Sequence, residues 1–282
     1  MNTPHTEVRD AISRKVQSLP TLPQVVTNII AIVRDERSTT GQLAGYIRKD
    51  QVICATVLRV ANSAYYGSYR KVDSIDRAIV VLGFEQVRSI ALSIGVFAKL
   101  PKSSQSFDKK HFWFHCIGVA TAARLIAERR GERDEFFFVS GLMHDIGKLV
   151  LDHYAEINYG RVIEEAQETS RPVIELELQN YGVDHAEVGQ QMLERWKLPE
   201  HIVDGVRLHH ASNGGEARRV APVVALADNL THEAQIGLNG HLPGLDTALG
   251  RQLGFTPAQL LAMTEELSAS RERIEGFFKA LQ

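Results

Sequence analysis

Gly141-Leu142-Met143-His144-Asp145-Ile146-Gly147-Lys148 is an apolar run interrupted by an adjacent imidazole and carboxylate. The hydrophobic spacing around it predicts one helix over residues 135–153. A carboxylate placed in such a helix is costly to bury unless it is paired or bound to a cation. Lys148 follows Asp145 by three residues and His144 by four, one turn along the same helix. An imidazole and a carboxylate on a metal, with an ammonium one turn away, suit a phosphate-bearing ligand.

Outward from this pair, further imidazoles and one carboxylate occupy comparable places. His115 lies near the start of a predicted helix over 112–130. His185 opens another over 185–196, with Asp184 and Glu187 spaced as a capping pair. His209 and His210 end a third, over 199–210. Asp228 interrupts Val223-Val224-Ala225-Leu226-Ala227 inside a helix over 219–233. Consecutive helical residues point ~100° apart, so His209 and His210 reach one cation only if the helix end turns. Imidazole and carboxylate donors suit first-row metals such as Fe, Mn or Zn. His111 reads as a surface residue, and His5, His153, His201, His232 and His241 as structural or solvated. Arg218 and Arg219 read as solvated charges at a helix start, and Phe136-Phe137-Phe138, Trp113 and Trp196 as packing residues. Cys54 and Cys116 form no CxxC and read as buried thiols of a reducing compartment.

The rest of the chain is helical in period as well. Helices are predicted over 22–33, 40–48, 52–61, 75–82 and 84–99, the first opened by Thr21 and Gln24 in capping-box spacing. The polar stretch 101–106 marks a boundary. Helices follow over 157–170 and 172–179, and Thr256-Pro257-Ala258-Gln259 begins a last helical region. No strand alternation is present. The expected fold is all-α: an N-terminal helical subdomain over 12–100, packed on a helical bundle over 107–235 that carries the His/Asp set, with a helical extension over 236–282.

The order His, His-Asp, His, His-His, Asp resembles the HD superfamily of metal-dependent phosphohydrolases, and its full set is similar to the HD-GYP branch. That resemblance implies one metal on His115, His144, Asp145 and Asp228, and a second on His185, His209 and His210, with Asp145 bridging and Lys148 matching the lysine of the HDxGK motif. The N-terminal half is more specific. Leu19-Pro20-Thr21-Leu22-Pro23, the run Leu58-Arg59-Val60-Ala61-Asn62-Ser63-Ala64-Tyr65-Tyr66-Gly67, and Ser74-Ile75-Asp76-Arg77-Ala78-Ile79-Val80-Val81-Leu82-Gly83 resemble the HDOD domain, an output module of bacterial signalling proteins. The likeness covers residues 12–235. Many HDOD proteins have lost the metal ligands, whereas this chain keeps the set. After His210 it reads Ala211-Ser212-Asn213-Gly214-Gly215, without Gly-Tyr-Pro, which argues against cyclic-di-GMP as a substrate and leaves the ligand set intact.

The resemblance therefore implies a bacterial signal-transduction protein with a two-metal site of Fe, Mn or Zn, or alternatively an active phosphohydrolase or phosphodiesterase acting on a nucleotide or cyclic dinucleotide through Asp145 and Lys148. A signalling protein and a phosphate-bearing small molecule are the expected partners. Among 282 residues, 44% are hydrophobic and 23% charged, with a formal net charge of −2. That balance gives no broad attraction to nucleic acid or to an anionic membrane. No apolar leader or membrane-length run is read, so a cytoplasmic location is expected. No P-loop, dinucleotide fingerprint or nucleophile elbow occurs.

Overall fold

Side-chain caps set many of the helix starts. Asp50 receives the Val52 and Ile53 amides, both at 3.0 Å, and Asp184 receives Glu187 at 2.8 Å. Thr256 and Gln259 close a reciprocal capping box. In the computed structural model the described residues are 4–34, 37–67, 71–97, 108–132, 136–154, 158–211, 219–237 and 244–281. They form helices and no strand: α1 Pro4–Ser18, α2 Gln24–Arg34, α3 Thr40–Ile47, α4 Gln51–Ala61, α5 Ile75–Leu82, α6 Phe84–Phe97, α7 Lys109–Arg129, α8 Phe136–Met143, α9 Ile146–Tyr154, α10 Tyr159–Thr169, α11 Val173–Tyr181, α12 His185–Arg195, α13 Glu200–Arg207, α14 Ala221–Glu233, α15 Thr247–Gln252, α16 Pro257–Ala269 and α17 Arg271–Leu281.

Helices α2 to α6 pack on one another. Helix α7 lies between α8 and α14, α13 touches α8, α12 and α14, and α9 lies on α12. The chain's ends cross between these groups. Helix α1 packs on α9, α11 and α12, while α17 touches both α4 and α7. A single buried apolar cluster includes Ile12, Val57 and Ile90, then Ile117, Leu142 and Leu226, then Met263 and Phe277. Burial of this shared surface holds the groups together.

The Asn62–Tyr65 part of the N-terminal run is a joint. The Asn62 amide accepts from the Val72 N–H at 2.8 Å and donates to the carbonyls of Val72 and Leu58 at 2.7 Å each. Tyr65 is buried, its hydroxyl 3.0 Å from Thr121 Oγ1 and 2.6 Å from Arg124 Nη2 on α7. Arg273 of α17 donates twice to the Tyr65 carbonyl, at 3.1 and 2.8 Å.

Three local expectations are corrected. The predicted helix over 135–153 is two helices, and His144 and Asp145 form the turn between α8 and α9. The helix expected over 199–210 stops at Arg207, leaving His209 and His210 in a turn. Thr21 and Gln24 do not pair: the Pro23 carbonyl receives the Val26 and Thr27 amides of α2, and the Gln24 side chain bonds Asn28. The 101–106 boundary, Arg218 and His241 lie outside the described residues.

Gly147 permits the approach of α9 to α12. A Cβ placed there would lie 1.9 Å from the His185 carbonyl oxygen and 2.9 Å from the Gly189 nitrogen, both backbone atoms that cannot swing aside. Gly147→Ala is therefore expected to lower stability by about 1–3 kcal/mol, read as a fall in urea midpoint. An unchanged midpoint would mean that the two backbones are farther apart than described.

Candidate metal centre

Breaks between helices, rather than helix faces, aim most of the site's imidazoles. The last carbonyls of a helix have no intrahelical partner. His144 Nδ1 donates to Gly141 O at 2.8 Å at the end of α8, and His209 Nδ1 donates to Val206 O at 2.6 Å at the end of α13. A carbonyl only accepts, so both Nδ1 atoms carry the hydrogen and both Nε2 atoms present a lone pair. The third imidazole, His185, begins α12, and its Nδ1 lies 2.6 Å from Glu177 Oε2 of α11. His115 comes from the second turn of α7, and Asp228 from α14.

All these side chains converge on Asp145. Its Oδ2 lies 3.3 Å from His144 Nε2, 3.8 Å from His115 Nε2 and 2.7 Å from Lys148 Nζ. Its other oxygen, Oδ1, lies 3.2 Å from His185 Nε2 and 3.9 Å from His209 Nε2. Asp228 Oδ1 is 3.0 Å from His115 Nε2 and 3.8 Å from His144 Nε2. His185 Nε2 is 3.3 Å from His209 Nε2 and 3.0 Å from His210 Nε2. The structure thus brings together His115, His144, Asp145, Lys148, His185, His209, His210 and Asp228, all eight residues selected from the sequence.

The donor set fits a divalent cation. His144 Nε2, Asp145 Oδ1 and Asp228 Oδ1 are buried and make no hydrogen bond. Acceptor atoms turned toward one another in this way repel unless positive charge lies between them. Ligands sharing an ion at ~2.0–2.2 Å sit about 3 Å apart when adjacent, close to several of the separations here. Donor atoms within 4.8 Å of one another group as His115/His144/Asp145, His185/His209/His210 and His115/Asp228/His232. His115, His144, Asp145 and His185 are each 1% exposed, whereas His210 stands on the open edge.

Electrostatics follow the packing. Burial favours a neutral acid at Asp145, but positive charge beside it, from His144 whenever that ring is protonated and from the Lys148 ammonium, holds its carboxyl well below the usual carboxylate range. The positive end of α9, which starts at the next residue, acts in the same direction. Burial pushes His115 down to about 4, with neighbouring Asp228 offsetting only part of that effect. His209 is likewise pushed well down by burial and by the imidazoles around it. At His185 burial works downward, but the Glu177 carboxylate outweighs it and holds the imidazole up at about 9.

Two site residues escaped the sequence reading. His232 follows Asp228 by one helical turn, its Nε2 3.3 Å from Asp228 Oδ1 and its ring 4.6 Å from that of His115. It is therefore part of the cluster and not an isolated histidine; the i,i+4 spacing from Asp228 was the available signal. Glu177 is fully buried, and its place between Val173 and Tyr181 on the inner face of α11 was the corresponding cue. The remaining residues lie elsewhere. His111 pairs with Asp108 at the exposed start of α7, His153 is exposed, and His201 packs against the Phe136 ring at a tilt. Arg219 pairs with Glu132 over the Phe137 ring. Trp196 donates to Pro20 O at 3.0 Å.

In metal-free protein these shifts predict a stability optimum near pH 6.5. Below that value the unfolded chain takes up protons that buried His115 and His209 refuse, so stability falls as pH drops from about 6.5 toward 4. The raised His185 acts oppositely: its contribution is complete below 6.5 and is lost as pH rises through about 9. Urea midpoints across pH 4–10 test this, and a flat profile between 4 and 6.5 would contradict it.

Comparison with known proteins agrees with this architecture. The HDOD domain model matches residues 19–212. An HDOD domain protein of unknown function from Geobacter sulfurreducens shares 27% identity, with a TM-score of 0.79 over 95% of this chain and 98% of that one. A protein named only as a candidate phosphohydrolase, from Shewanella amazonensis SB2B, shares 25% identity, with a TM-score of 0.77 over 96% of this chain and 98% of that one. An uncharacterized protein of Treponema pallidum (strain Nichols) is 22% identical over 212 residues, 74% of this chain and 41% of its own length. The chain thus spans about two fifths of that curated relative. Because the family model covers well over half of the sequence and the all-helical fold is shared nearly end to end with a solved member, this chain belongs to the HDOD family of the HD superfamily.

Proposed function

We propose that this protein is a bacterial signal-transduction protein whose His/Asp cluster holds two divalent cations bridged by Asp145. One observation carries the reading: the two oxygens of this buried carboxylate face different sets of imidazoles, Oδ2 toward His144 and His115 and Oδ1 toward His185 and His209. One cation would be held by His115, His144, Asp145 and Asp228, the other by His185, His209, His210 and Asp145. Fe and Mn suit this imidazole–carboxylate set, and Zn is a further fit. In a signalling role the bound cations hold α7, α8, α9, α12, α13 and α14 in one arrangement, and a partner protein reads the attached helices α2 to α6. Among the described residues no helix is long and apolar enough to cross a membrane.

A second reading, a metal-dependent phosphohydrolase, is favoured by the exposed position of His210 beside buried His185 and His209. A cation pair there would acidify water and polarise a phosphoryl oxygen. Lys148, whose ammonium lies 2.7 Å from Asp145 Oδ2, would hold that carboxylate ionised and add positive charge for a phosphate. The Shewanella relative's name and its 25% identity are consistent with such chemistry.

Elemental analysis of protein purified without chelator is expected to find close to two Fe or Mn per chain, with loss of metal in His144→Ala and in Asp145→Ala. Full occupancy in both variants would contradict the site. The same samples, incubated with generic phosphodiesters, nucleotides and cyclic dinucleotides, separate the two readings. Turnover lost with the ligand variants establishes the hydrolase, and metal binding without turnover on any of them supports the signalling role alone.

A further inference from the structure

We infer that Glu177 is a positioning residue that fixes His185 as a metal ligand and ties the loading of that half of the cluster to helices α10 and α11. This rests on the two-cation reading above. Glu177 is fully buried, and three donors converge on its carboxylate. The Tyr159 hydroxyl donates to Oε1 at 2.5 Å. The His185 backbone N–H donates to Oε2 at 2.9 Å, and His185 Nδ1 lies 2.6 Å from the same oxygen.

The consequence for His185 is geometric. A carboxylate with this many donors is held as the anion, which only accepts, so it keeps a hydrogen on Nδ1 and turns Nε2 toward Asp145 Oδ1, His209 and His210. His144 and His209 obtain the same orientation from backbone carbonyls, which are neutral. His185 alone among these three is backed by a full negative charge. A carboxylate behind an imidazole makes it a stronger donor to a metal and fixes its ring.

The same carboxylate links three helices. Tyr159 is the first residue of α10, Glu177 lies on α11, and His185 is the first residue of α12. Tyr159 is itself fully buried, and its ring stacks with that of Tyr181 at 6.3 Å between centroids. A cation drawn to His185 Nε2 therefore tightens one contact that holds α10 and α11 in place. Helix α11 also touches α1.

The test is titration of metal-stripped full-length protein with Mn2+, comparing wild type with Glu177→Gln. Gln replaces the carboxylate with a near-isostere that has no charge. Wild type is expected to take up two Mn2+, and the variant to retain one at wild-type affinity while the other weakens roughly 10–100-fold. A residue with only a structural role would lower the urea midpoint without splitting the two sites. Wild-type affinity at both sites in folded Glu177→Gln overturns the inference and leaves the two-cation reading standing. Absence of Mn2+ binding in wild type overturns both. If Glu177→Gln does not fold, Glu177→Asp decides: it keeps the charge but shortens the reach to His185 Nδ1, and a smaller weakening confined to one ion is expected. Two unaltered affinities in that variant overturn the inference.

Discussion

A carboxylate that is 1% exposed and kept ionised is the constraint around which the C-terminal half of this molecule is arranged. Removing such a charge from water is unfavourable by several kcal/mol, even after relaxation. Lys148 compensates Asp145 on one side only. The remaining lone pairs face imidazole nitrogens, those of His144 and His209 oriented as acceptors by backbone carbonyls and that of His185 aimed by Glu177. A packed protein interior retains such a set when positive charge is placed among its members. Metal binding and packing are therefore one question for these helices.

Helix termination does much of the positioning. A continuous helix through residues 144 and 145 would point the two side chains about 100° apart and leave the Gly141 carbonyl in an ordinary helical bond. Ending α8 at Met143 frees that carbonyl for His144 Nδ1, and starting α9 at Ile146 puts its positive end at Asp145. The end of α13 repeats the device with Val206 and His209. Glycine at 147 then lets α9 and α12 approach closely enough for His185 to reach the same carboxylate.

Much of this was legible in the sequence, because polar residues in apolar helical stretches stand out and their order along the chain matched a known pattern. The all-helical fold and the eight converging residues followed from that. The turn at 144–145 was hidden, since Leu142, Met143, Ile146 and Leu149 keep a helical period through the break. The turn at His209 and His210 was foreseeable only as a geometric condition. Glu177 was hidden because one acid in an amphipathic helix looks solvated until the neighbouring helices are placed. His232 carried a usable spacing from Asp228, but its partner His115 is distant in sequence. The N-terminal run is distinctive for a different reason: Asn62 ties the segment at Val72 to the end of α4, and Tyr65 joins these first helices to α7 and α17 without touching the cluster.

The most direct measurement is an anomalous-difference map, collected across the Fe and Mn edges, from crystals of protein never exposed to chelator. The account predicts two peaks about 3.5–4 Å apart. One would lie beside His115, His144 and Asp228, the other beside His185, His209 and His210, with the Asp145 carboxylate between them. A map without peaks at this carboxylate, with the His185 and His209 rings turned away from it, would contradict the account.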